Sequence, residues 1–86
     1  MNIKEYDKIL NECRQIAIKK NHDYGDESLK LFNGLSIFIR MYDKMERLKN
    51  SFEKKLKVDD EKIEDTLQDL INYSTYLIMI RRGKLE

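Results

Sequence analysis

Apolar residues recur at helical spacing in three separate stretches of this chain. Ile3, Tyr6, Leu10, Cys13 and Ala17 follow one another at intervals of three and four, which predicts an amphipathic helix over about Asn2 to Lys19. Phe38, Met41, Met45 and Leu48, with Ile37 and Tyr42 widening the apolar side, predict a second over about Leu35 to Ser51. In the third stretch Ile63, Leu67, Leu70, Ile71, Leu77 and Ile78 share one side. Glu61, Asp65, Asp69 and Asn72 fall opposite them, within an arc of about 80° at roughly 100° per residue. Further on, Tyr76, Met79 and Ile80 make this helix apolar nearly all round, the pattern of a helix buried on more than one side.

The ends of these helices carry their own signals. Asp59 is placed to cap the third helix, Val58 to act as its hydrophobic staple, and acids crowd its first turn as the helix dipole favours. Gly83, after Arg81 and Arg82, is a natural stop. From Lys20 to Gly34 the periodicity breaks, which predicts a loop with one helical turn around Ser28 to Leu31. A loop that long inside a small domain tends to be functional. No strand pattern, internal repeat or second domain is visible, so residues 1–86 form a single all-α domain. Three helices, one apolar on two sides, make a half-bundle, and a homodimer joined through the third helices is its simplest closure.

Composition narrows the partners. Seventeen basic and sixteen acidic side chains leave a net charge of +1, so no global field draws the chain to nucleic acid or a membrane. The only cysteine, Cys13, lies on the apolar stripe of the first helix and is expected in the core; one cysteine makes neither an internal disulfide nor a zinc site of several thiolates. No stretch resembles a signal peptide or approaches a membrane span in length, and a cytoplasmic location is expected.

Chemistry must then come from local charge. Glu61, Asp65 and Asp69 are spaced by four, and like charges at that spacing repel unless a cation compensates them. Asp43 and Glu46 on the second helix are three apart. Two acidic faces meeting in a helical hairpin would make an oxygen-rich site for Mg²⁺ or Mn²⁺, hard ions that take carboxylates, water and substrate phosphates. Arg40, Lys44 and Arg47 lie near enough in sequence to neutralise phosphate oxygens. In the segment from Lys20 to Gly25, Lys20 can reach phosphate, Asp23 can accept from a sugar or base, and Tyr24 can stack on a base. The alternatives are ordinary: a solvated acidic face, Asp43 paired with Arg40 or Arg47, and Tyr24 filling the core beside a helix stop.

The same residues carry a family resemblance. Lys20 with Asp23-Tyr24-Gly25, then Arg40, Asp43-Lys44 and Arg47-Leu48, then Glu61, Asp65-Thr66, Asp69-Leu70 and Asn72-Tyr73 resemble the nucleotide-modification-associated domain family of short phage and prokaryotic proteins. That family is in turn similar to the all-α nucleoside triphosphate pyrophosphohydrolases of the MazG and dimeric dUTPase group. The resemblance implies a MazG-like half-bundle completed by homodimerisation or a higher helical oligomer, with Mg²⁺ or Mn²⁺ held by Asp43, Glu46, Glu61, Asp65 and Asp69. It also implies a nucleotide contacted by Lys20, Asp23, Tyr24, Arg40, Lys44, Arg47 and Asn72. The implied reaction releases a nucleoside monophosphate and pyrophosphate, with Glu61 and Asp65 as candidates to accept the water's proton. Thr66 stands where a second Glu is common, and Arg47 places a cation beside the first acidic pair. Arg47 is the feature that favours the rival expectation of a nucleotide-binding or protein-interaction module without turnover.

Overall fold

The computed structural model describes residues 1–54 and 60–85, and side chains of 1–53 and 62–85. The predicted Asp59 cap, the Val58 staple and the side chain of Glu61 lie outside the described residues. Helix α1 (Ile3–Tyr24) starts at Asn2, whose side-chain oxygen accepts the Glu5 N–H at 3.0 Å. It runs a turn further than its apolar periodicity suggested and ends at Gly25, whose N–H bonds the Asn21 carbonyl at 2.8 Å. Nothing between Ile18 and Tyr24 breaks a helix; the apolar pattern fades there only because this end protrudes from the core. Lys20, Asp23 and Tyr24 are therefore helical residues and not loop residues.

The expected turn is present as α2 (Glu27–Lys30), followed by a 3₁₀ turn over Leu31–Gly34. Helices α3 (Leu35–Lys54) and α4 (Asp60–Arg81) complete the chain, and no strand occurs among the described residues. The Ser36 hydroxyl donates to the Ser28 carbonyl at 3.0 Å and so ties α2 to the start of α3. At the end of α4 the Lys84 N–H reaches the Met79 carbonyl at 2.8 Å and the Gly83 N–H reaches Ile80 at 3.0 Å. These are the paired bonds of a Schellman cap, and Gly83 at φ 67° supplies the left-handed residue that such a cap requires.

Helix α4 is the centre of the layer. It packs against α3 on one side and α1 on the other, while α1 and α3 scarcely meet. Among the described residues, Cys13, Ile37 and Leu48 are the only apolar ones that are buried, and of these Cys13 and Ile37 are fully enclosed. Gly34 is buried where the 3₁₀ turn crosses α4: a Cβ there would stand 2.9 Å from Leu77 Cδ2 and 3.3 Å from Ile80 Cδ1. Its φ of 94° also lies in the region that favours glycine, so the close approach and the turn both depend on the missing side chain. The predicted two-sided character of α4 is partly used inside the chain, since Tyr76, Leu77, Met79 and Ile80 are all half-buried.

Much apolar surface is left over. The radius of gyration is 14.1 Å, against about 12 Å expected for a compact chain of this length.

Candidate functional site

The middle of α4 faces a cavity of about 400 Å³, bounded by the end of α1, by α2 and by the first half of α3. Its charged and polar walls are Lys20, Arg40, Asp69 and Asn72, and its aromatic walls are Tyr24, Tyr73 and Tyr76. The Tyr73 and Tyr76 rings are tilted by 57° with centroids 6.4 Å apart, within the range of an edge-to-face pair. Tyr24 stands at the mouth and is exposed. A volume of this order and a mixture of ring faces with a few charges are the usual attributes of a small-molecule pocket.

Asp69 organises the polar half. The Lys20 ammonium on α1 lies 3.1 Å from one of its carboxylate oxygens, and the Lys44 ammonium on α3 lies 3.1 Å from the other. One carboxylate thus links all three long helices. Asp69 and Lys44 side chains are 17% and 18% exposed, so this pair is substantially shielded, whereas Lys20 is half open. Burial alone would lower the Lys20 pKa, but the hydrogen bond to Asp69 and that carboxylate's charge outweigh it and the net shift is upward. Burial pushes the Tyr76 phenol up, against a smaller opposing pull from Lys20. Arg40 lines the same cavity with no acidic partner among the described residues. With two cations on Asp69 and Arg40 unpaired, the pocket carries excess positive charge.

Five of the sequence-derived candidates, Lys20, Tyr24, Arg40, Asp69 and Asn72, therefore line one cavity, with Lys44 bonded to one of them. Asn72 is buried and its amide donates to the Cys13 carbonyl at 3.0 Å, which fastens α4 to α1. That bond commits one of its two N–H donors to the fold, and its second donor and its oxygen are left for a ligand. Asp23 is not part of the pocket lining and lies 3.3 Å from the ring of His22. Asp43 pairs with Arg47 at 3.3 Å on the exposed side of α3, the within-helix pairing weighed as the ordinary alternative. Arg47 lines a separate cavity of about 240 Å³ with Leu48, Asn50 and Ile63. Glu46 and Asp65 are exposed. No three Asp, Glu, His or Cys side chains form a metal-holding group among the described residues.

Tyr73 and Tyr76 are pocket residues that the sequence reading left out. Their spacing held the signal, because residues four and seven beyond Asp69 return to the same helix face. Ser28 and Leu29, which also line it, could not be placed before the path of the loop was known.

An all-helical chain with a cationic, tyrosine-lined pocket is a candidate binder of small anionic ligands that carry a ring. The family model for nucleotide modification associated domain 1 matches residues 20–81, which include every residue named above as lining the pocket, and the chain belongs to that family. No curated protein and no solved structure matches the chain. Among the described residues no helix is long and apolar enough to cross a membrane.

Proposed function

We propose that the pocket holds a nucleotide and that the protein is a Mg²⁺-dependent nucleoside triphosphate pyrophosphohydrolase of the MazG-like kind, working as a helical homodimer. The observation that carries this is the joining of Lys20, Arg40, Asp69 and three tyrosines around one cavity of about 400 Å³. Arg40 offers a planar, two-pronged donor to phosphate oxygens, and Lys20 and Lys44 offer point charges. Tyr24, Tyr73 and Tyr76 offer ring faces to a base.

The donor set is compatible with Mg²⁺, which is commonly held by one or two carboxylates with water and substrate phosphates completing its shell. Asp65 and Asp69, one turn apart on α4, would hold it. When bound, it would polarise the phosphoryl oxygens and lower the pKa of a water. Each oxygen of Asp69 is already engaged by a lysine, and a metal bound there would compete with these ammonium groups, favouring release of one of them. The released cation stays beside the cavity, where it can meet phosphate. An acid not engaged by metal would accept the water's proton, Glu61 and Asp65 being the candidates.

The second reading is a nucleotide-binding module without turnover. The engagement of Asp69 by two lysines favours it, because that arrangement needs no metal to balance the carboxylate.

One chromatographic assay separates the two. Deoxynucleoside triphosphates, canonical and modified, are incubated with the protein in Mg²⁺ and in EDTA. Monophosphate and pyrophosphate appearing only with Mg²⁺ is the expected outcome. A raised melting midpoint with nucleotide but no product supports the binding module. Neither binding nor product removes both.

A further inference from the structure

The charges and rings of the pocket are sorted along α4. Asp69, Tyr73 and Tyr76 return to one face of that helix at steps of four and three residues. At 1.5 Å per residue the two rings stand about 6 and 10 Å beyond the carboxylate along the axis. The polar end and the aromatic end are therefore separated by the span that a single sugar puts between a phosphate and a base. Further phosphates have to extend past Asp69 toward Asp65, whose carboxylate repels them unless a metal intervenes.

The balance of charge points the same way. Among the described residues Asp69 is the only acid that lines the cavity. Asp26, whose charge acts on Tyr76, lines the neighbouring groove and accepts from the Asn21 side-chain amide. Lys20 and Lys44 on Asp69, together with the unpaired Arg40, leave a surplus of two positive charges. A phosphate monoester carries about −1.5 to −2 at pH 7. It matches that surplus with no metal present, whereas a triphosphate brings more negative charge than two cations balance and needs Mg²⁺ to make up the difference.

The lysines need not leave Asp69 to serve such a ligand. An ammonium has three donors, and Lys20 spends one of them on the carboxylate. The other two are left for phosphate oxygens, and Lys20 is half open to the cavity. Arg40 adds a planar pair of donors from α3.

We propose that, without any divalent metal, the pocket binds a nucleoside monophosphate, its phosphate on Arg40 and Lys20 and its base among Tyr24, Tyr73 and Tyr76. The assignment rests on the pocket being a nucleotide site and is independent of turnover. If the protein hydrolyses triphosphates, its nucleotide product is retained after metal and pyrophosphate have gone, and added monophosphate inhibits.

Titration calorimetry in EDTA tests this, with the bases of the chromatographic assay supplied as monophosphates and as the parent nucleosides. At least one monophosphate is expected to bind once per chain, about tenfold or more tighter than its nucleoside, as hydrogen bonds to a charged group imply. Arg40→Met, at an exposed position, should weaken the monophosphate about tenfold and leave the nucleoside unchanged. Asp69→Asn should tighten the monophosphate in EDTA, because both ammonium groups are then free for phosphate. That sign is opposite to the loss expected for Mn²⁺. Should Asp69→Asn fail to fold, the split between monophosphate and nucleoside in Arg40→Met decides alone. Equal losses for the two ligands in Arg40→Met, or weaker monophosphate binding in folded Asp69→Asn, would overturn the proposal. Triphosphate hydrolysed in Mg²⁺ with no monophosphate held in EDTA overturns it and leaves the hydrolase reading standing. Monophosphate held in EDTA without turnover supports it alongside the binding module, and no nucleotide bound under either condition removes it together with the nucleotide reading.

Discussion

The two halves of α4 are held in place by different means. Toward its C-terminus, Leu77 and Ile80 press on Gly34 so closely that a methyl group there would have to displace Leu77 Cδ2, and a Schellman cap closes the helix. In its middle, Asp69 is fixed by two ammonium groups from the neighbouring helices, and beside it lies a cavity of about 400 Å³. One end is positioned by shape and the other by charge. Contacts between packed atoms are lost if the atoms move, whereas a carboxylate can exchange one cation for another without moving its helix. The division explains how a chain with so small a core can keep a fixed frame and still offer a site that rearranges.

Substitutions that attack the packed end should have the largest effect. Gly34→Val forces a β-branched side chain into φ 94° and into contact with Leu77 and Ile80. A loss of about 3 kcal/mol or more is expected from overpacking and backbone strain together. At fixed protein concentration the thermal midpoint should fall by more than about 12 °C. A fall of only a degree or two would mean that the turn and α4 are not locked together.

At the charged end the expected loss is smaller and falls on binding as well. Asp69→Asn removes the counter-charge of two lysines, one of them well shielded, and should cost about 1–2 kcal/mol of stability. Repulsion among the acids of α4 would have predicted the opposite sign. Titration calorimetry with Mn²⁺ should show weakened binding for this variant and for Asp65→Asn. Unchanged affinity in both would dispose of the metal assignment.

A pH effect tests the core near the same helix. Burial, assisted by the charges of Glu12 and Asp69, raises the Cys13 thiol above its ordinary 9.0. Below that pH both folded and unfolded chains keep the proton, and the group contributes nothing. Above it the unfolded chain sheds a proton that the folded chain retains, so stability falls as pH rises, by at most about 1.4 kcal/mol per unit until the folded thiol also ionises. Urea midpoints from pH 8 to 10 should show this slope, and Cys13→Ala should flatten it. The smallest change is expected at Asp43→Ala, which removes only an exposed pair with Arg47 and should alter stability by less than about 0.5 kcal/mol.

How much of this the sequence disclosed depended on the range of the interaction. The three long helices were legible because their apolar stripes repeat locally, and Gly83 was legible as a stop because a cap is a local motif. The pairing of Asp69 with Lys20 was not, since 49 residues separate them and spacing within a helix says nothing about such a partner. Phe32 gives no sign of its left-handed conformation, because it is neither the glycine nor the asparagine that favours that region. For Asn72 the sequence suggested a ligand contact on account of its helix face. Only the fold shows the Cys13 carbonyl opposite it, 59 residues away in the chain.

The near absence of contact between α1 and α3 has a kinetic consequence. Helix α1 is joined to the rest almost solely through α4, so it can lift away as a unit while the hairpin of α3 and α4 stays closed. Lys20 and Tyr24 form part of the cavity wall and travel with it. Partial opening of the native state is then also opening of the pocket, and under the proposed function ligand entry and release would be timed by the undocking of α1. Amide hydrogen exchange along α1 should be faster than in α3 and α4, and it should slow when the pocket is filled. Uniform exchange across all three helices would show that they open together.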